Sequence, residues 1–437
     1  MGVYEELGVR RVINCRSTTT ALGGSVMHPE VVKAMAEATG SAIPVRMLDV
    51  RCGKIIAAIC GAESALLTTS ATGGLALAAA GCAMRTTELA QYDPWKNPEG
   101  DNPDGGKIQR LVQRQLYNPS EIKGIKTEVI VPLGHETIYT ICMVYAGLKP
   151  IWAGDKRRCD PKEIERLIND KTAAIFISHE ELIWKHPTQP GNHQTDILSG
   201  IPPVPNAEGY KMSWEEVIEV SKKHDVPIIL DAAYSIPPVE NLRNIVGMGV
   251  DIACYCGGKS ICGPNDAGFN VGRSDLIKLA ACHRFPYHGL GRGMKIDKSE
   301  MVAMTRALQL YPKTVEENVR GANQAAEWLE VELRKLPHVK SVKRRTALVG
   351  NERSWPLVGV AIDEKGLGMN MEEVESRLQL GDPPIWVYGP KGYSRIHFYE
   401  EPGITINCQT LYQGAWKFPG NERIVLKRFK EILTSRR

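Results

Sequence analysis

Four short apolar runs, each followed by a helical pattern, constrain this chain more than any other feature. Residues 64–69, 127–131, 173–177 and 227–230 are runs of apolar and β-branched side chains, of strand length. Between them, residues 73–84, 137–146, 161–168 and 214–224 carry apolar positions at helical spacing. Strands alternating with helices at this interval predict a mostly parallel α/β sheet covered on both faces. Ligands in such sheets sit at the C-terminal ends of the strands. Beyond about residue 312 the rhythm changes to a long helix over 315–336, a strand over 355–362, a helix over 371–380 and a terminal helix. That pattern predicts a smaller α+β domain. The expected organisation is an N-terminal arm over 1–44, a large α/β domain over 45–300 and a small C-terminal domain over 301–437.

Two stretches interrupt the alternation. Residues 93–106 are rich in Asp, Asn, Pro and Gly, and residues 186–206 in Pro, Gly and His. Both read as long loops, a length that usually accompanies a lid, a subunit contact or a solvated insertion. A net charge of +4 on 437 residues gives no basic surface for nucleic acid or an anionic membrane. No apolar run reaches the roughly 18 residues of a membrane span. The start lacks the basic-then-apolar pattern of a signal peptide. Eleven cysteines without paired C-x-x-C spacing read as reduced thiols in a cytoplasmic protein, with no metal site.

The chemistry-bearing residues fall just after the predicted strands. Asp231 closes Val-Pro-Ile-Ile-Leu-Asp231, and Lys259 stands in Cys256-Gly-Gly-Lys259. A lysine preceded by two glycines can reach and condense with an aldehyde, and a buried acid can keep a pyridine nitrogen protonated. Pyridoxal phosphate chemistry needs both. Taken alone, the same residues also read as a surface lysine in a glycine turn and an N-cap aspartate. Ser70, Ala71 and Thr72 open a helix directly after a strand, where small residues and free amides suit a phosphate monoester or an ordinary cap. His135 follows another strand, placed to stack on a pyridine ring or to cap a helix, and Ala233 is small enough to lie under the opposite face. Arg292, within a glycine- and cation-rich segment from His283 to Lys295, reads as a substrate-anion ligand or an interface ion pair. Arg395 is a further carboxylate candidate.

Together these motifs resemble the fold-type I pyridoxal phosphate enzymes, and within them the selenocysteine synthase-like family of seryl-tRNA selenium transferases and D-glucosaminate-6-phosphate ammonia-lyases. The resemblance runs through most of the chain: Arg11-Val-Ile-Asn14, Gly134-His135, Asp231-Ala-Ala, Gly257-Gly-Lys259 with Gly263-Pro264, Gly291-Arg-Gly-Met-Lys295 and Gly403-Ile-Thr-Ile-Asn407. It implies a largely parallel sheet of the seven-stranded type, pyridoxal 5'-phosphate bound to Lys259 as a Schiff base, and a homodimer or larger homo-oligomer. It also implies Asp231 on the pyridine nitrogen, His135 on the ring, and Ser70, Ala71 and Thr72 at the phosphate. Cys256 stands where the family often has serine, and a thiol is the weaker donor.

The Val-Ile-Asn motif begins at Val12, which leaves no place for the tRNA-binding domain that precedes it in the selenium transferases. The expectation is therefore a lyase, with β-elimination from a small amino acid or amino sugar acid to a 2-oxo acid and ammonia. A racemase or another Cα-chemistry enzyme is the alternative, and a tRNA-dependent selenium transferase ranks below both.

Overall fold

In a computed structural model, residues 2–156, 158–178, 212–346, 355–389, 403–413 and 420–435 are described. They divide into two compact units, one of residues 27–312 and one of residues 1–26 with 313–437. The sequence pattern places the boundaries at 44 and 300. The change of unit at 312 coincides with Pro312 inside the helix Lys298–Leu333. Proline there lacks the N–H that would bond one turn back.

The larger unit is built on a seven-stranded sheet. In spatial order its strands are Ser64–Thr68, Gly268–Gly272, Ile252–Cys256, Ile228–Asp231, Thr172–Ile177, Glu128–Pro132 and Lys149–Ala153. Only Gly268–Gly272 runs antiparallel to its neighbours, and the remaining pairings are parallel. The three strands Thr172–Ile177, Ile228–Asp231 and Ile252–Cys256 are buried along their whole length. Burial on both faces explains why they read as apolar runs rather than as alternating patterns.

The helix Ser70–Ala83 is the centre of the core. Almost all of its residues are buried, because it is apolar around its circumference. It is also lined with small residues that permit close approach. A Cβ on Gly81 would lie 2.7 Å from the backbone nitrogen of Ala280 in the helix Ser274–Cys282. On the sheet side, the Asn270 side chain donates to the Gly74 carbonyl at 2.8 Å, and a Cβ on Gly74 would sit 2.2 Å from Asn270 Oδ1. The helix is thereby fixed in depth and rotation against the strand beside it.

Sequence and structure differ at element boundaries. The helix predicted from 73 begins at Ser70. The helix predicted over 137–146 is a 3-10 turn, Ile138–Thr140, followed by the short helix Ile141–Tyr145. The helix expected from 315 begins at Lys298. The first predicted loop ends where the helix Gly105–Tyr117 begins. The second, 186–206, lies outside the described residues.

The smaller unit contains an antiparallel sheet ordered Ile404–Asn407, Pro356–Ile362, Val339–Thr346. A parallel pair, Ile13–Cys15 with Ile385–Val387, joins the N-terminal segment to the C-terminal residues of the same unit. Among the described residues no helix is long and apolar enough to cross a membrane.

Candidate active site

Every described candidate ligand of the cofactor lies within the larger unit and close to the same edge of its sheet. Asp231 is the last residue of its strand. Lys259 follows the strand Ile252–Cys256 by three residues, His135 follows Glu128–Pro132 by three, and Ser70 follows Ser64–Thr68 by two. These strands point the same way, so their C-terminal ends gather the four side chains at one rim.

Asp231 is buried, with 5% of its surface exposed. Its Oδ1 accepts one hydrogen bond, from the Ala233 amide at 3.1 Å. Among the described residues Oδ2 receives no protein donor. Burial pushes the carboxyl up to about 6, against the opposing pull of the Ala233 amide and of Lys259. The flanking side chains contribute to that burial: Cys254 pairs with Asp231 across the strands, and Cys142 lies within electrostatic reach. Both thiols are fully buried and held well above the usual thiol range, first by desolvation and then by the Asp231 charge.

Lys259 is half-buried in the turn after Cys256. The glycines before it are structural requirements. A Cβ on Gly257 would lie 2.8 Å from the Ala267 carbonyl, and one on Gly258 would lie 2.5 Å from Asn265 Cα. Lys259 Nζ donates to Tyr234 Oη at 3.0 Å and lies 4.5 Å from the Tyr234 ring centroid. Burial pulls the ammonium down, but Tyr234, Cys256 and Tyr139 together carry its pKa above the usual lysine value.

The start of the helix Ser70–Ala83 is strained. Ser70 has φ +57°, in the left-handed region, and is held there by its amide bonding the Asp266 carbonyl at 2.9 Å and by Thr68 Oγ1 donating to its carbonyl at 2.9 Å. The amides of Ala71 and Thr72 have no acceptor among the described residues. Thr69 Oγ1 donates to the Met294 carbonyl at 3.3 Å, which brings the 290–295 segment against this helix start. His135 is fully buried, and its carbonyl accepts from Ser178 Oγ.

The cation-rich segment separates into two groups. His283 and Arg284 are buried, whereas Arg292 and Lys295 are exposed. Arg284 forms an ion pair with buried Asp49 at 2.5 Å and donates to the Leu67 carbonyl at 2.6 Å. Burial holds His283 down to about 3, hence neutral. Arg292 lies 5.8 Å from the Phe285 ring centroid. Arg395 lies outside the described residues.

The residues present fit pyridoxal 5'-phosphate: two unsatisfied amides at a helix start for a phosphate, an open carboxylate oxygen for a pyridinium, and a lysine for an aldehyde. Sequence reasoning missed Tyr234 and Tyr139. Tyr234 stands three residues after Asp231 in a run read only for its acid and its small residues. Tyr139 is brought to Lys259 and Asp231 only by the fold. No group of His, Cys, Asp and Glu among the described residues has a metal-holding arrangement.

Comparison with known proteins supports the resemblance drawn from the sequence. The family model described as L-seryl-tRNA selenium transferase matches residues 208–334. A 5'-C-glycyluridine monooxygenase-decarboxylase of a Streptomyces species is 25% identical over 98% of this chain and 92% of its own length. The D-glucosaminate-6-phosphate ammonia lyase of Salmonella typhimurium is 26% identical over 98% of this chain and 97% of its own. The solved structure of a D-glucosaminate-6-phosphate ammonia-lyase covers 99% of this chain and 98% of its own, with a TM-score of 0.74 at 23% identity. The fold is that of the fold-type I enzymes, as expected; the chain is similar end to end to the ammonia lyase, and over residues 208–334 to the selenium transferase family model.

Proposed function

We propose that this chain is a pyridoxal 5'-phosphate lyase that removes the Cα proton of a small amino acid or amino sugar acid and eliminates a β-substituent, giving a 2-oxo acid and ammonia. The observation that carries the reading is the placement of Asp231, with one carboxylate oxygen open among the described residues, within electrostatic reach of Lys259 at the strand ends. The Salmonella relative, similar end to end, supports the reaction type by its name.

In this reading Ser70, Ala71 and Thr72 hold the phosphate, with Cys256 as a weaker donor. His135 and Ala233 face the ring, Asp231 takes the pyridine nitrogen, and Lys259 takes the aldehyde carbon. When bound, the cofactor supplies an electron sink for negative charge developing at Cα. The work left to the protein is proton handling. Buried Asp231 would accept the hydrogen bond of the ring N–H and keep that proton in place. Lys259, once its amine is neutral, accepts the Cα proton. Arg292 grips an anionic group of the substrate through two parallel N–H donors, with Arg395 as the second candidate. A cytoplasmic homo-oligomer acting on a small molecule, without nucleic acid, completes the reading. Within it, residues 45–300 form the cofactor domain, 301–437 the small domain and 1–44 the arm.

A second reading, carbon dioxide release from the substrate, is favoured by one observation: the Streptomyces relative named as a decarboxylase is as similar over as much of the chain. One experiment separates the readings. The purified protein is loaded with pyridoxal phosphate, reduced with borohydride and mapped, and the unreduced enzyme is offered a panel of D- and L-amino acids and amino sugar acids. The proposal expects the adduct on Lys259 and equal yields of ammonia and 2-oxo acid. An adduct on another lysine ends the site assignment. Carbon dioxide release with oxygen uptake selects the second reading, and optical inversion without ammonia selects a racemase.

A further inference from the structure

The turn after Asp231 delivers a side chain that the reaction as written above does not use. Its backbone is pinned on both sides. The Ala233 amide bonds Asp231 Oδ1, the Ser235 amide bonds the Ala232 carbonyl at 3.2 Å, and Asn241 Nδ2 bonds the Ser235 carbonyl at 2.5 Å. The lysine turn is tied to the same segment, because Ser260 Oγ donates to the Ile236 carbonyl at 2.8 Å. Two turns fixed to one another hold Tyr234 and Lys259 in a defined relation rather than a chance surface contact.

Within that relation the phenol meets the amine in two ways, through its oxygen at 3.0 Å and through its ring, whose centroid is 4.5 Å away. Both contacts favour the ammonium. The oxygen accepts from N–H, and the negative ring face attracts the cation. Among the described residues, Tyr139, Cys256 and Asp231 also act on Lys259. Tyr139 is held above the usual phenol range, by burial first, and is therefore neutral at physiological pH. Tyr234 touches the amine in both ways.

We propose that Tyr234 is a positioning residue that latches Lys259 in its ammonium form and in one place until an aldehyde is delivered to the site. An ammonium has no lone pair. Capture of an aldehyde therefore requires Lys259 to release one proton to solvent, after which its nitrogen bonds the aldehyde carbon and the aldehyde oxygen leaves as water. The latch sets the pH at which the first of these steps occurs. The proposal rests on Lys259 being the cofactor lysine, and its test keeps the two assignments apart.

The experiment measures the rate at which the full chain, freed of cofactor, covalently captures pyridoxal 5'-phosphate as a function of pH. The adduct is trapped with borohydride and mapped to its lysine. Tyr234→Phe keeps the ring and removes the oxygen, and Tyr234→Leu removes both. The expected result is a capture profile whose midpoint moves to lower pH by roughly half a unit to one unit in Tyr234→Phe and further in Tyr234→Leu, with capture at neutral pH several-fold faster. A spacer role alone would slow capture at every pH without moving the midpoint. An unmoved midpoint in both variants overturns the latch. Movement only in Tyr234→Leu overturns the role of the oxygen. Lys259→Ala is the separate control: undiminished capture by that variant would remove the cofactor-lysine assignment itself.

Discussion

Asp49 and Asp231 are two aspartates of the same unit, both about 95% buried, and they are completed in opposite ways. Asp49 meets a cation through one oxygen: Arg284 pairs with its Oδ2 at 2.5 Å and the Trp95 indole nitrogen donates to the same oxygen at 2.9 Å, while Oδ1 is buried without a donor among the described residues. Asp231 meets one backbone amide, and its second oxygen has no protein donor among the described residues. A charge that the protein pairs with its own cation is part of the scaffold. A charge left open at a strand end destabilises the empty fold, and such a cost persists where a ligand relieves it.

The largest expected effect comes from the open acid. Asp231→Ala is expected to retain bound pyridoxal phosphate, measured by absorbance after gel filtration, and to lose several orders of magnitude in turnover. A merely twofold loss would place Asp231 in the scaffold beside Asp49. The closed acid gives the next effect. Arg284→Met leaves Asp49 buried without its cation and is expected to cost about 3–5 kcal/mol in denaturant unfolding. The double variant with Asp49→Asn should recover much of that loss. If it recovers none, the pair is not the unit that matters.

The smallest effect tests the sign of the contrast. The folded Asp231 carboxyl is pushed up to about 6, so it holds its proton more tightly folded than unfolded. Its contribution to stability therefore falls as pH rises from the ordinary carboxyl range through about 6, and stays at that lower level above it. Asp231→Asn removes the penalty. The cofactor-free variant should be more stable than the parent by about 1–3 kcal/mol at pH 8 and no more stable at pH 4. Equal stability at both pH values would show that the carboxylate is not strained.

The placement of the candidate site was largely legible because a parallel sheet puts such residues just past its strands. The sequence places Asp231 and Lys259 after apolar runs and a helix start near Ser70 from its small residues, and the fold puts them there. The cation-rich segment looks like one feature in the sequence, which does not say which way a side chain turns. In the fold, His283 and Arg284 point inward and Arg292 and Lys295 outward.

The sequence alone determined the class of sheet and the strands that carry the candidate residues. These follow from local periodicity, whereas the close backbone approach that requires glycine at 257 and 258 appears only in the fold. Only the tertiary structure decided that Tyr234 contacts Lys259, that Tyr139 comes within reach of both Lys259 and Asp231, and that Asp49 is paired with a guanidinium while Asp231 meets one backbone amide. Those relations join residues from 25 to 235 positions apart or set by turn geometry, and their free energies depend on burial and on which partner arrives. Neither is encoded in the pattern of any one segment.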